Sequence, residues 1–154
     1  MKISQFFEQD HQRVESVING FRHSLEVGVP DKAFFDQLIQ GLHRHIYWEE
    51  DLLFPLVKPL ADGEVIDEFC TDHALIWKNL GELEAGLSQG TPGGKLELTL
   101  NEMVEVLEAH NIDEERTIYA QADQLCDGLA ADEFLGKVQG ADAPSGWHCV
   151  VSWY

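Results

Sequence analysis

The chain has 154 residues and carries 28 Asp+Glu against 10 Lys+Arg, a formal net charge of -18. That length fits one compact domain with a sizeable core, and 44% hydrophobic residues, four Trp and eight Phe among them, exclude a disordered acidic tail. The charge argues against nucleic acid and against anionic membrane surfaces, which both call for clustered Lys and Arg; it leaves open whether the acids form a solvated coat or a cation site.

Breakers divide the sequence into four long segments. The first ends at Gly28-Val29-Pro30 and carries Ile3, Phe7, His11, Val14, Ile18, Phe21 and Leu25 at alternating spacings of three and four, the period of an amphipathic helix. Asp31 is an N-cap candidate for the second, whose stripe reads Phe35, Leu38, Leu42, His45, Glu49, Leu52 and Leu56 before Pro59 to Gly63 closes it. Pro55 lies inside that stripe and should kink the helix, because it removes a backbone donor. The third stripe is Ile66, Phe69, His73, Trp77, Leu80 and Leu87, ended by Gly90-Thr91-Pro92-Gly93-Gly94. Thr91 or Pro92 opens the fourth, which reads Leu96, Leu100, Met103, Leu107, His110, Glu114, Ile118 and Leu125 and runs to about Gly128. A short segment to Gly140 follows, and no internal repeat stands out.

Four long amphipathic helices with short connections predict an all-α fold, an up-down-up-down antiparallel four-helix bundle over residues 1–139 with a short C-terminal extension. That extension, the tail 140–154, carries Trp147, His148, Cys149, Val150, Val151, Trp153 and Tyr154, and is expected to pack back on the bundle or, alternatively, to self-associate. No stretch approaches the roughly 18 apolar residues of a spanning helix. The first ten residues meet acids and Gln too soon to form the apolar centre of a signal peptide. Cys70, Cys126 and Cys149 are odd in number and far apart, which suggests free thiols and a cytoplasmic location.

Each stripe carries polar side chains where the core should be: His11, His45 with Glu49, His73, and His110 with Glu114. Burying such groups unpaired costs several kcal/mol each, so six of them need a common partner. Positions equidistant from a helical turn lie side by side, and the offsets among these six amount to only about 3 Å at 1.5 Å per residue. They therefore converge on one layer. His45/Glu49 and His110/Glu114 are spaced i, i+4, so each pair shares a helix face. One tetrahedral ion cannot use four His and two carboxylates, whereas two ions can, with the glutamates bridging. Nitrogen and oxygen donors without thiolate suit iron, and would also take manganese or zinc. Off the stripes, His23 and His43 are expected at the surface. Glu50, Glu115 and Asp113 read as acidic flank, with Glu115 a spare ligand if the helix is displaced. Tyr47, Trp48 and Tyr119 read as packing residues, and Cys70 and Cys126 as small buried or half-buried thiols.

The stretches Asp10-His11, His45-Ile-Tyr-Trp-Glu49-Glu50-Asp-Leu-Leu-Phe-Pro55, Asp72-His73 and His110-Asn-Ile-Asp-Glu114-Glu115 resemble the hemerythrin-like, HHE cation-binding family over most of residues 3 to 125. The resemblance implies two non-haem iron ions, oxo- or hydroxo-bridged, with His11, His45, His73 and His110 as terminal ligands and Glu49 and Glu114 as bridges. Oxygen-carrying hemerythrins have a fifth histidine where this chain has Trp77, and their last carboxylate follows its histidine by five residues where Glu114 follows His110 by four. The four-His, two-Glu set is closer to the di-iron proteins implicated in iron-sulfur cluster repair under nitrosative stress. Without the fifth histidine both irons are expected to be open, with Trp77 a bulky wall beside one of them. The function this implies is binding or sensing of a small diatomic, oxygen or nitric oxide, or of redox state. The alternatives are nitric oxide or peroxide reduction, iron donation for cluster repair, and plain iron storage.

Overall fold

The computed structural model describes residues 1–151, so Trp153 and Tyr154 of the tail lie outside the described residues. The chain is helical, with no strand among the described residues. Its elements are α1 (Ile3–Glu26), α2 (Lys32–Tyr47), a π-helical turn (Trp48–Leu53), α3 (Phe54–Val57), α4 (Gly63–Ser88), α5 (Gly93–Arg116), α6 (Ile118–Leu125) and α7 (Gly128–Gln139). The boundaries follow local chemistry. Gly28 at φ 77° and Gly90 at φ 71° take the left-handed conformation that ends α1 and α4 without a Cβ penalty. Asp31 accepts from the amides of Ala33 and Phe34 and caps α2, as its position predicts, and Asp62 does the same for α4 through Glu64.

The four long helices pack in a ring, α1 against α2 and α5, and α4 against α5 and α2. Most apolar residues of the stripes are buried, although Leu125 is exposed and Leu52, Leu56, Ile66, Trp77 and Leu87 are half-buried, and the buried ones form two clusters. One holds Val14, Ile18, Phe21, Leu38, Leu42, Leu80, Leu100 and Met103. The other holds Ile3, Phe7, Leu53, Phe54, Phe69, Ile118, Tyr119, Leu135 and Val138. On α1 the break between them falls at His11 and on α5 at His110, so a polar layer separates the two halves of the core. The short α7 closes the second cluster by burying Ala131, Leu135 and Val138.

Two of the expected helices are interrupted, both beside this layer. The second gives way at Trp48 to the π turn, in which the Phe54 amide reaches back five residues to the Glu49 carbonyl. Pro55 falls at the start of α3, just after the widened turn, so the distortion begins upstream of the proline itself. The fourth does not run unbroken to Leu125, because Thr117 (φ -117°, ψ -80°) leaves helical geometry and separates α5 from α6.

The described part of the tail folds back on the bundle. Trp48 donates to the Ala141 carbonyl at 2.8 Å, Trp147 meets Tyr47 edge-on, and Cys149 is buried against the first cluster.

Candidate metal centre

All six stripe residues reach the polar layer and are buried there, with Glu49 and Glu114 at 0% exposure. They form two overlapping groups. His11, His45, Glu49 and Glu114 offer nitrogen and oxygen atoms that all lie within 4.8 Å of one another, and Glu49, His73, His110 and Glu114 do the same. Each group could hold a metal ion, and the two carboxylates are common to both.

The histidines are held from behind. Nδ1 of His11 donates to Glu115 (3.0 Å), Nδ1 of His45 to Asp10 (2.7 Å), Nδ1 of His73 to Glu50 (2.6 Å) and Nδ1 of His110 to Asp72 (3.0 Å). A proton fixed at Nδ1 turns Nε2 inward as the donor atom and raises its basicity, the arrangement that orients metal-ligating imidazoles. Each carboxylate comes from a neighbouring element, and the hand-offs run in a closed circuit. The end of α5 supports α1, α1 supports α2, the π turn after α2 supports α4, and α4 supports α5.

Glu50 is therefore no surface acid, as the sequence had suggested. Its side chain is 3% exposed, and its other oxygen accepts from the Val150 amide at 2.7 Å. The wide turn lets two consecutive residues address one imidazole, Glu49 at Nε2 (3.1 Å) and Glu50 at Nδ1. Glu115 is half-exposed and supports His11 from Nδ1, and Asp113 and His23 are exposed as expected.

His43 corrects the surface expectation as well. It stacks on Trp77 with ring centroids 3.6 Å apart, its Nε2 is buried without a hydrogen-bond partner among the described residues, and burial, then the charge of His148, lowers its pKa to about 4. Trp77 packs its ring against His43 on α2 and against Trp147 and His148 of the tail.

Tyr119, expected to be packing alone, is fully buried with its hydroxyl in the layer. The oxygen lies 2.7 Å from Glu49 Oε2, 2.8 Å from His11 Nε2, 3.3 Å from His45 Nε2 and 3.4 Å from Glu114 Oε1. It follows Glu114 by five residues, which on a straight helix would turn it well away from that side chain. The break at Thr117 brings it back.

The electrostatics are those of a site short of positive charge. Burial and then the neighbouring Glu49 charge raise Glu114 to about 8, so it keeps its proton at neutral pH. Burial opposes ionisation of Glu49 too, but His45 and the hydrogen bonds from Glu114, His45 and His73 outweigh it and hold Glu49 low. Burial likewise disfavours charge on His45, yet Glu49 and Asp10 raise it well above the usual histidine value. His73 is raised by Glu49 and Glu50 against its own burial. Protons thus occupy the place of cations. The compensation is incomplete, because His110 Nε2 sits 2.9 Å from Glu114 Oε1 without hydrogen-bond geometry, and neither it nor Glu114 Oε2 has a hydrogen-bond partner among the described residues. Buried donors converging without satisfying one another fit metal ions.

Although no repeat stands out in the sequence, the site is built twice. Asp10-His11 with His45, Glu49 and Glu50 in the first half corresponds to Asp72-His73 with His110, Glu114 and Glu115 in the second. The ring contacts repeat with it. His11 and His45 lie 4.8 Å apart, as do His73 and His110, and Phe7 meets His45 edge-on as Phe69 meets His110.

A ring-packed helical fold around buried, carboxylate-backed histidines and two shared glutamates defines a cation-binding helical domain. The family model for the hemerythrin HHE cation binding domain matches residues 2–122, and the chain belongs to that family. No curated protein and no solved structure gives a match. No helix among the described residues is long and apolar enough to cross a membrane.

Proposed function

We propose that the chain is a non-haem di-iron protein that binds or senses a small diatomic, oxygen or nitric oxide, or redox state. The observation that carries this reading is the sharing of Glu49 and Glu114 by two four-donor groups, which suits two ions bridged by carboxylates better than one. His11 and His45 are the terminal ligands of one ion, His73 and His110 those of the other. Nitrogen and oxygen donors without thiolate favour iron over softer ions. The ring of helix contacts and the short turns support an up-down-up-down bundle, with residues 1–139 as the domain and the tail as its extension, and three free cysteines support a cytoplasmic location.

Bound iron supplies electron transfer to and ligation of a small molecule. The chain's part is to hold the donors, through Nδ1 contacts that fix each imidazole, and to keep bulk water out with apolar clusters on both sides of the layer. Among the described residues, no side chain outside the donor set and its supporting carboxylates hydrogen-bonds to a donor atom, Tyr119 apart.

The test is metal content and stoichiometry after native purification, followed by spectra in the presence and absence of air. About two irons per chain and a reversible oxygen or nitric oxide adduct are expected. Irreversible oxidation without an adduct would favour the enzymatic or storage alternatives. A single zinc per chain would overturn the di-iron reading.

A further inference from the structure

The donors and supporting acids of the two halves correspond one to one, and both halves place an aromatic ring at the fifth position after the bridging glutamate. In the second half that position is Tyr119, and in the first it is Phe54. Both rings lie against the first histidine of the opposite half. Tyr119 is 5.3 Å from His11 between centroids, and Phe54 is 5.8 Å from His73 with the planes 1° apart. The Tyr119 ring is tilted by 35° against its histidine, so the rings occupy corresponding positions with different tilts, and only Tyr119 carries a hydroxyl.

That hydroxyl is surrounded by the donors of one group. With metal–donor bonds of about 2.1 Å, neighbouring corners of an octahedral shell are about 3 Å apart. The Tyr119 oxygen lies between 2.7 and 3.4 Å from all four donors of the His11/His45 group. It therefore stands where a fifth corner of the same shell would be. A hydrogen bond to Glu49 alone does not require that placement, and one phenol hydrogen cannot serve Glu49, Glu114 and His11 together. The charge balance points the same way, since two carboxylates leave two divalent ions under-neutralised.

We propose that the phenol oxygen of Tyr119 is a fifth protein ligand to the ion at His11 and His45, and that Phe54 leaves the ion at His73 and His110 as the one open to an exogenous ligand. On ligation the O–H bond gives way to an O–metal bond and the proton passes to solvent. Without a histidine at Trp77 both irons are expected to be open; a ligating Tyr119 closes a position on one of them and leaves the two ions unequal. The proposal rests on the di-iron reading above, and the two can fail separately.

The experiment uses the full chain loaded with iron and oxidised in air, with iron measured by elemental analysis beside each spectrum. The wild type should show a visible tyrosinate-to-iron charge-transfer band, with phenolate ring vibrations in resonance Raman that move when the protein is made with ring-deuterated tyrosine. Tyr119→Phe should keep about two irons per chain and lose both signals. Phe54→Tyr should gain a second phenolate signal and bind azide, the probe anion, at least tenfold more weakly than the wild type. Two bound irons without phenolate vibrations in the wild type would overturn the proposal and leave the di-iron reading standing; no bound iron would overturn both. Because the wild-type spectrum decides by itself, a variant that fails to fold does not weaken the test.

Discussion

Glu50 holds His73 at Nδ1 from 2.6 Å, with the carboxylate almost entirely out of solvent. Its second oxygen takes the Val150 amide, so a single side chain ties the polar layer to the C-terminal tail. Glu50→Ala removes an acceptor from a buried imidazole and from a backbone amide, and is expected to destabilise the metal-free chain by about 1–3 kcal/mol. Iron affinity should fall about tenfold to a hundredfold, the usual effect of losing a partner behind a ligating histidine. Denaturant midpoints and competitive metal titration measure the two effects; unchanged affinity would show that His73 does not depend on Glu50 for its orientation.

Truncation before Ala141 should act on the same point from the other side. It removes the Trp48–Ala141 hydrogen bond, the Trp147 contacts with Tyr47 and Trp77, and buried Cys149. A loss of about 2–4 kcal/mol is expected from thermal or urea unfolding, with the helical circular dichroism of the bundle retained.

Glu114 gives a prediction of opposite sign for stability and for binding. Its pKa is raised to about 8 by burial and by Glu49, so in the metal-free chain the folded state keeps a proton that the unfolded state releases near the ordinary value of 4.5. The unfolded state then binds fewer protons between those values, and stability falls as pH rises through that window. Glu114→Gln replaces the protonated acid with a neutral group of the same shape. It should stabilise the metal-free chain at neutral pH, by about 1–3 kcal/mol, while abolishing the second iron. Urea midpoints between pH 4.5 and 8, compared with iron content, test this. A variant less stable than the wild type throughout that range would contradict it.

His43 sets a second pH window, on the acid side. Burial and then His148 lower its pKa to about 4, so the unfolded state takes up a proton first, near the ordinary 6.5. Stability associated with the neutral ring is complete above 6.5 and is lost as pH falls toward about 4. His43→Phe keeps an aromatic face for Trp77 and has no proton to accept, so the part of the slope that rises with pH is lost. Against the opposing Glu114 contribution, the slope between 4.5 and 6.5 should be more negative than in the wild type. An unchanged slope would place the titrating group elsewhere.

Why the ligand-bearing stripes were legible in the sequence while their supports were not is a matter of distance along the chain. His11, His45, Glu49, His73, His110 and Glu114 declare themselves because a polar residue on an apolar stripe breaks a local period. Asp10, Asp72, Glu50 and Glu115 lie beside that stripe, where an acid looks like any surface acid. Each finds its histidine on another element, and only packing reveals the pair. The doubled pattern Asp-His, then His-x-x-x-Glu-Glu, was the available signal. Tyr119 was hidden differently. An unbroken helix through Thr117 turns it away from Glu114, and no residue type at Thr117 announces the break. His43 and Trp77 depend on a tail that the helical period does not describe.

The closed circuit of carboxylates has a consequence for how quickly anything held in the layer can leave. Two of its links, Asp10 to His45 and Asp72 to His110, join consecutive long helices; the other two, Glu115 to His11 and Glu50 to His73, join the halves. Prising one helix away severs two links and withdraws donors from a group that also depends on the other half. Fraying at the N-terminus reaches none of them, and loosening of the tail frees only the Val150 amide from Glu50, whose other oxygen keeps its bond to His73. Escape from the centre is therefore paced by opening of the whole bundle rather than by local breathing, so exchange of a bound ion against a chelator should track the global unfolding rate.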